Sequence, residues 1–140
     1  MRPEVFRVVL DTNVYISAFC FTKSTPPTNI YILALQGRFE LWTSTKILFE
    51  LADKLQNKFA WAPAQVERVV KQIARHAHLA EPKQKISVID ADPSDNRVLE
   101  CAVAADAHFI ASGDKHLLAL KKFKDIAIMK PSDFIVLFKA

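Results

Sequence analysis

The sequence predicts a single α/β domain over residues 1–140, in which a central parallel sheet is covered by helices on both faces. Two observations lead there. Short apolar, β-branched runs alternate with segments whose apolar residues recur at helical spacing, the pattern of successive βα units. The length of 140 residues, 51% hydrophobic and 24% charged, suits one domain with a sizeable core, and no linker is long enough to divide it.

Each element has its own justification. Val5 to Leu10 is the first strand, apolar at nearly every position as a strand buried on both faces must be. Val14 to Phe19 reads as a short helix. The stretch Ser24 to Thr28, with Pro26 and Pro27, reads as a loop leading into a helix over Asn29 to Leu35, which Gly37 stops. Phe39 to Thr43 is a second strand. Ser44 then caps a helix running to about Asn57, with Ile47, Leu48, Leu51 and Leu55 at helical spacing. Pro63 opens another helix, carried by Val66, Val69, Val70, Ile73 and Ala77.

Beyond the polar connector Glu81 to Lys85, Ile86 to Ile89 is expected as a third strand. The run Asp90 to Asp95 breaks it and enters a helix whose apolar side includes Val98, Leu99, Ala102 and Val103. A strand at Phe109 to Ala111, a helix around Lys115 to Leu120, a strand at Ile126 to Met129 and a helix from Ser132, with Pro131 just before it, complete the order.

Four acids fall at informative places in this order. Asp11 directly follows the first strand, and Asp114 directly follows the run His108 to Gly113. Parallel pairing of these runs would set both carboxylates at the strands' C-terminal ends, where open α/β sheets place their sites. Glu50, on the helix after the second strand, and Asp95, at the start of a later helix, would join them. Carboxylates that close repel one another unless a cation neutralises them, so the pattern points to a hard divalent metal. Structural roles stay open for each acid: Asp11, Asp114 and either Asp92 or Asp95 suit helix caps, and Glu50 stands at i±4 from Lys46 and Lys54.

The composition narrows the alternatives. Two glycines, Gly37 and Gly113, are too few for a phosphate-binding loop or a dinucleotide fingerprint. Cys20 and Cys101 are too few and too far apart for a disulfide framework or a zinc site, and both are expected as small buried apolar groups. His76 and His78 form His-x-His at the end of a helix with no third partner nearby. No apolar run is long enough to span a membrane and no leader is recognisable, so a cytoplasmic, soluble protein is expected. The 19 Lys and Arg against 15 Asp and Glu leave a net charge of +4, which suits a polyanionic partner. Lys54, Lys58, Arg97 and Lys115, which flank the acids in sequence, are the candidate contacts.

The motifs Asp11-Thr12-Asn13-Val14, Glu50 within Ile47-Leu48-Phe49-Glu50-Leu51, Asp92-Pro93-Ser94-Asp95-Asn96 before Leu99-Glu100-Cys101-Ala102, and Ser112-Gly113-Asp114 before Leu117-Leu118 together resemble PIN-domain nucleases. The similarity is to the small prokaryotic branch known as toxins of toxin-antitoxin pairs, and it extends to the ending Lys130-Pro131-Ser132-Asp133-Phe134.

That resemblance implies a Rossmann-like three-layer α/β/α fold and a site in which Asp11, Glu50, Asp95 and Asp114 bind Mg²⁺ or Mn²⁺ for endonucleolytic cleavage of single-stranded or loop RNA. The ion would activate water and act as Lewis acid toward the scissile phosphate. The interval from Asp95 to Ala102 matches the family's, which leaves Asp92 as a cap or supporting acid. Asn13 and Ser112 would orient the carboxylates, with Ser112 standing where the family often has Thr. A cognate antitoxin and a homodimer follow by resemblance. A nuclease of RNA processing or DNA metabolism would carry the same acids, whereas a silent RNA-binding module would require a broken set.

Overall fold

The computed structural model describes residues 5–20 and 24–138. Their order is β1 (Arg7–Leu10), α1 (Thr12–Cys20), α2 (Pro26–Leu35), β2 (Glu40–Thr43), α3 (Thr45–Asn57), α4 (Pro63–His76), β3 (His78–Leu79), α5 (Asp95–Ala104), β4 (Phe109–Ala111), α6 (Lys115–Leu120), β5 (Lys122–Phe123), β6 (Ile126–Met129) and α7 (Pro131–Val136). The strands form one sheet in the order β3-β2-β1-β4-β6-β5, parallel throughout except for β5, which pairs antiparallel with β6.

The order steps from β1 to β2 and β3 on one side and resumes with β4 on the other, so the direction of winding reverses between β1 and β4. Crossovers of the usual right hand then cover both faces of the sheet. Helix α5 lies across β1, β2 and β4, while α1 packs on α2 and α3, α2 on α7, and α3 on α4. Burial on both faces explains why the central strands are apolar in sequence: Val8, Val9, Leu10, Ile110 and Ala111 have no exposed surface. The reversal also opens a crevice at the C-terminal ends of β1 and β4, and Asp11 is the first residue past β1.

Three expectations are corrected. Residues 86–89 form no strand. Three of their four N–H groups are taken by side chains of α5 instead: Glu100 Oε2 accepts from Ile86 at 2.9 Å, and Asn96 Oδ1 accepts from Val88 at 3.0 Å and Ile89 at 2.9 Å. With those donors satisfied, the segment has no need of a sheet partner. The third strand is the two-residue β3, immediately after α4, where His78 stacks its ring on Trp42 with centroids 4.8 Å apart.

Pro26 and Pro27 are not loop residues. They open α2, where the missing proline N–H is unneeded and Thr25 caps the helix by accepting from Thr28. The antiparallel edge strand β5, too short to leave a periodic signal, was likewise unforeseen. Cys101 is buried as expected, whereas Cys20 is only half-buried.

Asn96 is the tie between α5 and the long connector before it. Besides its two acceptor bonds, its amide nitrogen donates to the Ile89 carbonyl at 2.7 Å. Asn96→Ala should therefore cost about 1–3 kcal/mol in urea unfolding, because buried backbone groups lose their partners. Limited proteolysis should cut the variant first between Ile86 and Asp92. Equal stability and an unchanged cleavage pattern would show that the connector is held by packing alone.

Candidate metal centre

The geometry of the site begins with the ladder. The Asp11 N–H donates to the Ala111 carbonyl at 3.0 Å, extending the β1–β4 pairing one residue past the strand and fixing the two strand ends side by side. Ser112, fully buried one residue beyond β4, donates its hydroxyl to Asp11 Oδ2 at 2.7 Å and accepts the Asp114 N–H at 2.9 Å. Asp114 in turn caps α6, its Oδ1 accepting from the N–H groups of His116 at 2.8 Å and Leu117 at 3.1 Å. One carboxylate oxygen of Asp114 thus serves the helix and the other is free of that task.

Asp95 is the first residue of α5 and is buried. Its Oδ2 has no hydrogen-bond partner. Asp92, three residues earlier, accepts the Ser94 N–H at 3.1 Å and the Ser94 hydroxyl at 2.6 Å, closing the turn that starts α5. Ligand-capable oxygens of Asp92, Asp95 and Asp114 lie within 4.8 Å of one another. Asp92, foreseen as a cap or supporting acid, is therefore a member of the trio, exposed where Asp95 is buried.

Glu50 sits to one side. It is on α3, where Ile47, Leu51 and Leu55 face the core. Its Oε2 accepts the Thr12 hydroxyl at 3.3 Å and its Oε1 pairs with Lys54 Nζ at 3.1 Å. Lys54 also reaches Asn13 Oδ1 at 3.5 Å. The ion pair foreseen at i+4 thus exists, and Asn13 meets Lys54 rather than a carboxylate. Thr12 was not singled out in the sequence, although it stands inside the Asp11-Thr12-Asn13 motif.

The electrostatics register the crowding. Burial, followed by the charges of Asp114 and Glu50, pushes Asp11 up to about 6, against the lowering effect of the Ser112 hydrogen bond. Burial, the hydrogen bond with Asp114 and the charges of Asp114, Asp11 and Asp92 push Asp95 up to about 8. Desolvation is the largest single influence on Asp114 as well. The N–H donors of α6 and the protonated Asp95 outweigh it, so Asp114 titrates below the ordinary carboxylate range. The two neighbouring carboxyls are thus driven in opposite directions, Asp95 upward and Asp114 downward.

The remaining predicted contacts are dispersed. Arg97 Nε lies 3.0 Å from Glu100 Oε1, an ion pair without hydrogen-bond alignment, and its Nη2 donates to the Ile86 carbonyl at 3.3 Å. Lys58 stands over the Phe59 ring with 6.0 Å to the centroid. Lys115 opens α6, exposed beside Asp114. His108 accepts the Arg7 N–H on Nδ1 at 2.9 Å, a tie between β1 and β4 rather than a site group.

Oxygen donors alone make up the trio, as hard divalent cations prefer, and the unpartnered, buried Asp95 Oδ2 is the atom such an ion would satisfy. The residues present fit the group.

Comparisons with known proteins bear on the fold and the family. Among solved structures, the fold is similar to VapBC2 from Rickettsia felis bound to a DNA fragment from their promoter, with a TM-score of 0.60 and 13% identity over 87% of this chain and 96% of that one. It is similar to FitAcB from Neisseria gonorrhoeae, with a TM-score of 0.55 and 14% identity over 89% and 98% of the two chains. It is also similar to the PIN domain of T. brucei RRP44, with a TM-score of 0.52 and 15% identity over 97% and 82%. At these identities the likeness is one of fold. No curated protein matches by sequence. The family model described as PIN domain matches residues 7–116, a span that holds all five acids of the site, and the chain belongs to the PIN-domain family of nucleases.

Proposed function

We propose that the protein is a divalent-metal-dependent endoribonuclease cleaving single-stranded or loop RNA, and that it is the toxin of a toxin-antitoxin pair. The observation that carries the chemistry is the convergence of Asp92, Asp95 and Asp114 within 4.8 Å around a buried oxygen that has no partner. Family membership supports a nuclease that uses divalent metal. The sequence resemblance to the toxin branch, and the fold likeness to the VapBC2 and FitAcB chains, support an antitoxin partner; a homodimer rests on the sequence resemblance alone.

Asp95 and Asp114 would hold Mg²⁺ or Mn²⁺ at the end of β4 and the start of α5, with Asp11 completing the set from β1 and Asp92 or Glu50 flanking it. A bound ion there supplies positive charge to the scissile phosphate and lowers the pKa of attacking water. Ser112 keeps Asp11 ionised by donating to Oδ2, and it holds the Asp114 backbone in place. Thr12 and Lys54 hold the Glu50 carboxylate in place beside Asp11 and Asn13 in the chain's first loop and helix. The α6 N–H groups orient Asp114 with its free oxygen toward Asp95.

Replacement of the acids gives the first test. Asp11→Asn, Asp95→Asn and Asp114→Asn should each lower RNA cleavage at least a hundredfold, on the order of 3 kcal/mol of transition-state stabilisation, while the fold persists. Asp92→Asn decides whether that residue is a ligand or only closes the α5 turn. Full activity there assigns it to the turn.

Removal of the hydroxyl that links Asp11 to Asp114 gives the second. Ser112→Ala should raise the Mn²⁺ concentration for half-maximal cleavage roughly 10–100-fold, while Ser112→Thr restores it. Equal metal dependence of the two variants would detach Ser112 from the site.

The third concerns pH. In EDTA the native state binds protons more tightly than the unfolded chain at Asp11 and Asp95. That stabilisation is complete below about pH 4 and is lost as pH rises through about 6 and then about 8. Asp114, shifted down, contributes in the opposite sense and only below about pH 4. The melting temperature in EDTA should therefore fall by several degrees from about pH 5 to about pH 8. Added Mn²⁺ should recover more at the higher pH. A flat metal-free profile would show that the carboxylates are not crowded.

A further inference from the structure

The sequence placed RNA contacts at Lys54, Lys58, Arg97 and Lys115, yet two of those four cations have partners within the protein. Lys54 is paired with Glu50 and Arg97 with Glu100. A different set of cations is free. A hollow of about 460 Å³ opens at the C-terminal ends of β2 and β3, between Ser44 at the start of α3 and the connector that begins at Ala80. Lys46, Lys83 and Lys85 line it, all exposed and none ion-paired among the described residues. Arg97 and Glu100 form its floor and offset one another, which leaves Glu81 as the acid facing three lysines.

Position gives this surplus charge its meaning. The C-terminal ends of β3, β2, β1 and β4 run along one edge of the sheet, with the hollow at the first two and the acids at the last two. One to three strand spacings, roughly 5–15 Å, separate them, within reach of a nearby nucleotide of a bound strand. The two regions also share α5, which begins with Asp95 at the acids and carries Arg97 and Glu100 to the hollow. No aromatic side chain lines the hollow, so it suits the backbone of a single strand rather than stacked bases.

We propose that this hollow holds RNA backbone phosphates next to the scissile bond, with Lys46, Lys83 and Lys85 as their contacts. The assignment rests on the nuclease reading above and adds the path of the substrate to it: the strand crosses the sheet edge from β3 toward β4. Because phosphates carry no sequence information, these lysines set affinity and register and leave base choice to other groups.

The experiment uses the full chain carrying Asp11→Asn, so that RNA is bound without being cut, and a fluorescent uridine oligonucleotide in Mg²⁺ across a salt series. Lys83→Gln with Lys85→Gln should weaken binding on the order of fivefold per contact near 0.1 M salt and flatten the salt slope by roughly 0.7 per contact. Lys46→Gln should add to both. The control pair Lys122→Gln with Lys124→Gln, at the far edge of the sheet, should leave the slope unchanged. In the background with Asp11 intact, the Lys83 and Lys85 changes should raise KM with kcat nearly unaltered.

Unchanged affinity and slope in the triple variant would overturn the subsite while leaving cleavage, and so the nuclease reading, standing. Binding that depends on these lysines in a protein that cleaves no RNA would sink the nuclease reading and keep the surface. Poly-glutamate binding as tightly as RNA of equal charge would overturn RNA as the occupant.

Discussion

Bringing carboxylates out of water and close together at the end of a parallel sheet costs free energy from two sources, desolvation and mutual repulsion, and much of the local structure can be read as a response to that cost. Asp11 is relieved by a buried hydroxyl, Asp114 by the N–H groups that open α6, and Asp95 by a pKa raised toward the protonated form. Only the second of these uses groups that the backbone was obliged to present at that point. The winding reversal between β1 and β4 is what makes them adjacent, since it leaves the two strand ends with no helix crossing directly over them.

The acids differ in the help they receive. Glu50 comes from a helix whose other duties are to the core, and its charge is offset by Lys54 one turn later. Asp92 holds its own turn closed through Ser94. These two are neutralised or occupied locally, whereas Asp95 has a buried oxygen to which the chain brings no N–H or hydroxyl. An arrangement that was only structural would have supplied a hydroxyl or an N–H there, as it did for Asp11.

Much of this was legible in the sequence. The strands of the sheet's centre announce themselves because burial on both faces demands uninterrupted apolar residues, as in Val8 to Leu10 and Phe109 to Ala111. The carboxylates at their ends follow directly, and Ser44, Asp114 and Pro63 mark helix starts as capping chemistry requires. The edges were not legible. β3 and β5 have two residues each, too few for a period, and their pairing is decided by neighbours far along the chain. The connector over Ile86 to Ile89 looked like a strand because its composition is that of one, but Asn96 and Glu100 had already taken its donors. Long-range side-chain competition of that kind leaves no trace in local sequence. The same blindness affected the cations, since proximity along the chain put Arg97 beside Asp95 while the fold turned it to Glu100.

The Ser112 hydroxyl has one proton, and that proton is spent on Asp11; its lone pair receives the Asp114 N–H. The bond therefore has a polarity, running from the loop after β4 through the hydroxyl into the residue after β1. With the Asp11 N–H bonded back to Ala111, the two loops close a small ring of interactions that neither can leave alone. Motion at this end of the sheet is consequently concerted: a displacement large enough to swing Asp114 must also release Asp11. The floor of the site behaves as one stiff plate, and whatever adjustment a substrate demands falls to α5 and the connector ahead of it.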